Sequence, residues 1–172
     1  MAKRWCMRRV QQEEVSWVTQ GLHNGHAIRF GSFLPAGFAE YLRASTTMPR
    51  PKIALIQVHE WLARSLQDYT TTAKDCVFLF SSSWGSLLPD LEDPTHIRFD
   101  GMECLGVAGD LMQIEEFSVA PTLFWPKDRA WLVVCVLDTD VALAACERQP
   151  AEILLADQTF DIRRVSREEL FE

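Results

Sequence analysis

The chain has 172 residues, 48% hydrophobic and 24% charged, with six Trp and ten Phe. That length and composition describe one folded domain with a sizeable core and exclude a disordered chain. The net charge of −7 divides into +4 over residues 1–60 and −11 over residues 61–172, an acidic surface that disfavours nucleic acid, whose phosphates collect on concentrated positive charge.

No uncharged run approaches the roughly 20 residues that cross a bilayer, so no membrane association is expected. The basic start through Arg9 is followed by Gln11, Gln12, Glu13 and Glu14 rather than an apolar stretch. That argues against a secretory signal and for a cytoplasmic protein. Five cysteines (Cys6, Cys76, Cys104, Cys135 and Cys146) form no CxxC and have no histidine at metal-ligand spacing. They read as core thiols in a reducing compartment.

In chain order, residues 1–22 are loosely helical through Val10, Val15, Trp17, Val18 and Leu22, with Gly21 and Gly25 ending the pattern. His23 and His26 flank Gly25 without an obvious third ligand. Ala27–Leu34 alternates as a strand up to Pro35, and Gly37–Leu42 reads as a helix with Phe38, Tyr41 and Leu42 inward. Ser45–Lys52 is a loop. The strongest helix runs over Ile53–Gln67, where Leu55, Val58, Trp61, Leu62 and Leu66 share a face and His59, Glu60 and Arg64 fall largely opposite. His59-Glu60 does not open an HExxH motif, because position 63 is Ala.

Asp68–Asp75 is a polar loop, and Cys76–Phe80 a strand expected beside the central one. The turn Ser81–Ser86 contains neither GxSxG nor a P-loop. Leu87–Asp100 reads as an acidic loop and Met102–Val107 as a strand. Asp110–Phe117 reads as a short helix with Asp110 as N-cap. Val119–Pro126 is an aromatic approach to Trp131–Leu137, which is apolar at every position. Such a strand is covered on both faces, so it is central. Val141–Cys146 is apolar and Ala-rich. Pro150–Ala156 is a helix with Pro in its first turn, Phe160–Val165 an edge strand, and Ser166–Glu169 resembles a capping box. The sum is a single α+β domain over residues 1–172, a mostly antiparallel central sheet with helices packed on one face.

Asp128 and Arg129, between Trp125 and Trp131, form either a binding pair on an aromatic-pinned loop or a plain turn. In the turn, Asp128 bonds nearby amides and Arg129 stacks on Trp or pairs with a carboxylate; this is the stronger reading. Asp138 and Asp140 point to one side of a strand end. Without further acids at fixed spacing they read as solvated carboxylates rather than a cation site. No metal or cofactor is expected.

Three stretches together carry a resemblance. Thr71-Thr72-Ala73-Lys74-Asp75-Cys76-Val77-Phe78, Ser83-Trp84-Gly85 and Trp125-Pro126-Lys127-Asp128-Arg129-Ala130-Trp131 resemble a bacterial protein family, widespread in actinobacteria, of no established activity. Members read Thr-Thr-Pro-x-x-Cys-Trp-Phe, Trp-x-Gly and Trp-Pro-x-Asp-Arg-x-Trp-Cys-Val-Ala. With Pro35–Phe38 the likeness covers roughly residues 26–165, and it implies a common fold. Val77 stands where the family has Trp, and Leu132 where it has Cys, so no shared set of ligand contacts is carried over.

The expected function is a non-catalytic protein-binding module, in concrete form a cytoplasmic immunity protein that neutralises a cognate bacterial toxin. Trp84, Trp125 and Arg129, with Asp128, are residue types that anchor interfaces. Glu92, Asp93, Glu115 and Glu116 would steer a basic protein partner. The alternatives are a small-molecule enzyme with a pocket near Asp128 and Arg129, or a structural subunit of a larger assembly.

Overall fold

The computed structural model describes residues 7–19, 29–45, 51–88, 91, 93–99, 102–136 and 139–170. In chain order the elements are β1 (Arg8–Arg9), α1 (Gln12–Thr19), β2 (Glu40–Ser45), α2 (Pro51–Leu66), β3 (Cys76–Ser81), β4 (Thr95–Phe99), β5 (Met102–Gly109), β6 (Leu123–Pro126), β7 (Trp131–Cys135), β8 (Val141–Cys146), α3 (Arg148–Ala156) and β9 (Asp161–Arg164). The strands form one sheet in the order β1-β5-β3-β6-β7-β8-β2-β9, with β4 also paired to β5. Every pairing is antiparallel. The protein is therefore α+β, with β7 well inside the sheet and buried along its whole length.

Strand side chains alternate between faces, and here both alternations are apolar. Phe78, Phe80, Phe124, Trp131, Val133 and Ala144 point to one side, where Leu55, Val58, Leu62 and Leu66 of α2 and Leu154 of α3 cover them. Val77, Leu79, Trp125, Leu132 and Leu143 point to the other, closed by Val10, Val15, Val18, Phe30 and Leu34. The two longer helices thus share one face, and α1 lies on the opposite one.

Trp131 ties the first layer together. Its indole Nε1–H donates to the Leu66 carbonyl at 3.0 Å, satisfying one of the carbonyls that the end of α2 leaves without an intrahelical partner.

Several segments depart from the sequence reading, each for a tertiary reason. The helix expected over Gly37–Leu42 is a turn followed by β2. Gly37 sits at φ 111, a conformation open to glycine, and Leu42 and Ala44 alternate inward between β8 and β9. Phe38 and Tyr41 still meet, 6.5 Å apart and edge-on. The turn brings them together: the Tyr41 hydroxyl donates to the Pro35 carbonyl and accepts the Phe38 amide.

The acidic loop expected over Leu87–Asp100 contains β4, whose Ile97 is buried while His96 and Arg98 are exposed. The aromatic approach becomes β6, which inserts between β3 and β7, so β3 is one strand removed from β7. Asp110 does cap a short 3-10 turn over Leu111–Glu116, accepting the Met112 amide at 3.0 Å.

The strand expected over Ala27–Leu34 is a single bridge from Arg29 to Leu170 and a 3-10 turn over Phe30–Ser32; residues 27 and 28 lie outside the described residues. The Phe30 and Gly31 amides donate to the Glu169 and Arg167 carbonyls. A Cβ at position 31 would lie 2.8 Å from the Arg167 carbonyl oxygen, a backbone atom that cannot swing aside. Gly31→Ala should therefore cost about 2 kcal/mol. In a thermal melt followed by circular dichroism that is a fall of about 4–8 °C for a chain of this size, and an unchanged melt would refute the close contact.

Candidate functional site

The β6–β7 connection is the part of the sequence pattern that the fold uses most heavily. Pro126 closes β6, and the Arg129 amide donates back to its carbonyl at 2.8 Å. Lys127 and Asp128 form the corner, and Arg129 follows in the left-handed region at φ 58. A turn followed by one left-handed residue is a common hairpin connection, but that position ordinarily belongs to glycine.

Asp128 holds the corner in place. Its carboxylate accepts the Thr70 hydroxyl at 2.8 Å, the Thr71 amide at 2.8 Å, the Thr71 hydroxyl at 2.9 Å and the Ala130 amide at 3.2 Å. Its own amide donates to the Thr72 hydroxyl at 3.0 Å. Burial alone would raise its pKa, but the Thr71 amide, the Thr70 hydroxyl and the Ala130 amide outweigh that and hold the carboxyl below its ordinary value. Two of the stretches that carry the family resemblance, Thr71–Phe78 and Trp125–Trp131, thus meet as one hydrogen-bonded joint.

Ion pairs surround the joint. The Asp75 carboxylate takes Arg8 at 2.6 Å and Lys127 at 3.1 Å, and Arg8 also takes Glu14 at 2.5 Å. Lys74 pairs with Asp110 at 2.5 Å. All are at least partly exposed, so each adds little to stability and serves mainly to fix geometry.

Arg129 lies on the other side of the turn. Its guanidinium stands 5.1 Å over the Trp17 ring, within cation–π range. Trp17 is edge-on to Trp125 at 5.8 Å and tilted against Phe38 at 6.2 Å, and Phe38 leads on to Tyr41. Trp17, Phe38 and Tyr41 are half-buried and Arg129 is exposed. A short row of aromatics ending in an arginine therefore reaches the surface on the α1 side of the sheet. Sequence reasoning found Arg129 but not the row of Trp17, Phe38 and Tyr41, because Trp17 meets Trp125 and Arg129 across more than a hundred residues of chain.

The other expected partner-binding residues are dispersed. Trp125, expected on a loop, is an inward residue of β6, 1% exposed, and supports Trp17 from below. Trp84 follows β3, whereas Asp128 lies beyond its start. Six residues of strand separate those ends by about 17 Å, and Trp84 packs half-buried against the α2 side of the core. Glu115 is engaged by Arg64 at 2.7 Å beside α2, and Glu116 is exposed next to it. Asp93 is exposed, 3.4 Å from Arg9 and at φ 49. Glu92, like His23, His26, Asp138 and Cys6, lies outside the described residues.

The described thiols offer little nucleophilicity. Burial pushes Cys104, Cys135 and Cys146 up to about 12 and Cys76 higher still, so the reactive thiolate is scarce at neutral pH. Among the described residues no group of three or more His, Cys, Asp or Glu could hold a metal ion. No described helix is long and apolar enough to cross a membrane. The comparisons with known proteins add no relative. No family model, curated protein or solved structure matches the chain.

Proposed function

We propose that the protein is a protein-binding module that meets its partner through the Arg129 turn and the adjoining Trp17–Phe38–Tyr41 row. Its most concrete form is a cytoplasmic immunity protein that neutralises a cognate bacterial toxin. The observation that carries the binding reading is the backbone of Arg129. A non-glycine residue at φ 58 costs about 1 kcal/mol or more against glycine, yet the chain spends it on an exposed cation. The five hydrogen bonds of Asp128 hold that conformation, and Trp17 fixes the guanidinium. A pre-organised arginine beside half-exposed aromatics has the composition of an interface hot spot, and binding it orders little further. The toxin reading rests on the acidic balance of residues 61–172, which favours a basic partner. A cytoplasmic setting suits the buried, unpaired thiols.

The test separates binding from folding. Arg129→Gly should leave stability unchanged or raise it by up to about 1 kcal/mol, while Arg129→Glu reverses the charge. Affinity capture from the native host at low salt, read by mass spectrometry, should return a stoichiometric partner with the unmodified protein and neither variant. A partner retained equally by both variants would remove Arg129 from the interface and overturn this reading.

A further inference from the structure

The stripe of α2 that faces the sheet contains one residue that its packing does not require. His59 lies among Leu55, Val58, Leu62, Ala63 and Leu66 at three- and four-residue steps, and it is 0% exposed. The sequence reading placed it largely opposite that face. The buried stripe is simply wider than the leucine spacing implied. Neither Nδ1 nor Nε2 has a hydrogen-bond partner, and the ring stands edge-on to Phe124 with centroids 5.6 Å apart. A neutral imidazole carries one donor and one acceptor, so both go unused at this interface, where Leu or Phe would leave none.

Nothing packed against α2 compensates a charge there. Its neighbours are the 3-10 turn at Gln67–Tyr69 that continues it, the 3-10 turn at Leu111–Glu116, α3, β2, β7 and β8; Asp68 of the first turn is exposed and lies beyond the C-terminal end of the helix. The thiols buried on this face, Cys76, Cys135 and Cys146, are neutral. Glu40 is engaged by Arg164 and Arg148, Glu152 by Arg164, Glu115 by Arg64, Asp110 by Lys74 and Asp157 by the Trp61 indole. Glu116 and Arg64 are exposed, and Glu60 is half-buried. No described carboxylate reaches the His59 ring.

We propose that His59 makes the seating of α2 proton-sensitive: a proton taken up at Nδ1 or Nε2 releases α2 from the Phe78–Phe124 face, while the strand pairing of the sheet persists. The released histidine accepts the proton in water, and the seated one cannot accept it without burying a bare charge. Burial pushes the seated ring down to about 4, and the Leu55 carbonyl, whose dipole favours the charged ring although it lies outside good hydrogen-bonding geometry, opposes only in part. Because the seated value lies below the solvated one of 6.5, the released state binds more protons between those limits. Seating is undiminished above pH 6.5 and weakens as pH falls toward 4.

Amide hydrogen exchange from pH 7 to 4.5, expressed as protection factors, tests this in the full chain. Residues 55–66 should lose protection by up to about tenfold per pH unit through the lower part of that range, the limit for one proton, while residues 131–135 and 141–146 hold. His59→Phe and His59→Leu should keep α2 protected to lower pH. Simultaneous loss in α2 and the strands, or loss at the same pH in both variants, would overturn the proposal. So would an imidazole NMR titration of the unmodified protein in which His59 titrates at its ordinary value, a readout independent of whether either variant folds.

Discussion

Trp131→Ala should remove a large share of the protein's folding stability. Truncating a fully buried tryptophan costs roughly 3–5 kcal/mol in transfer and cavity terms, against a total of about 5–15 kcal/mol for a domain. Trp131 is 0% exposed and edge-on to Phe124 at 5.7 Å. It also supplies the hydrogen bond to the Leu66 carbonyl, so truncation loosens the joint between α2 and the sheet as well as emptying the core. Trp131→Phe divides the two contributions. It keeps much of the apolar volume but leaves the Leu66 carbonyl without its donor, which should cost about 1–3 kcal/mol. Urea unfolding followed by far-ultraviolet circular dichroism measures both. An alanine variant within about 1 kcal/mol of the unmodified protein would show that the indole does not tie α2 to the sheet.

The fold was legible wherever local pattern and tertiary role agree. The apolar run at Trp131 has no polar position to offer solvent, so its burial on both faces follows from composition alone. The leucine spacing of α2 and the Asp110 cap are likewise local. The misreadings share one cause. Glu40–Ser45 and Thr95–Phe99 are strands because β8 and β9, or β5, lie alongside them, and their own residues do not exclude a helix or loop. At the site, Asp128 and Arg129 stood out because of their proline and tryptophan neighbours. What Asp128 holds could not be read, since Thr70 and Thr71 are more than fifty residues away. Trp17 was visible only as one apolar position on a short helix. The cation it supports lies more than a hundred residues further along the chain, a contact that carries no sequence periodicity.

Asp128→Ala should destabilise the protein by about 2 kcal/mol, less than the sum of its hydrogen bonds because the turn is exposed and water can replace part of them. The lost partners are the Thr70 and Thr71 hydroxyls and the Thr71 and Ala130 amides, which together tie the end of α2 to the β6–β7 turn. Asp128→Asn should cost about half as much, since its amide nitrogen presents a donor where a carboxylate oxygen now accepts. The pH dependence separates this residue from His59. The folded carboxyl of Asp128 is held below its ordinary value of 3.8, so its contribution is present above about pH 4 and fades as pH falls below that. The histidine acts above that limit, between 4 and 6.5. A stability profile for Asp128→Ala should therefore run parallel to the unmodified protein from pH 4 to 6.5 and converge on it below pH 4. Parallel curves throughout would mean that the hydrogen bonds contribute nothing specific to the ionised carboxylate. The same substitution leaves Arg129 in the sequence but frees its backbone from the left-handed position. If pre-organisation is what the turn supplies, partner affinity should fall about tenfold although the arginine is still there.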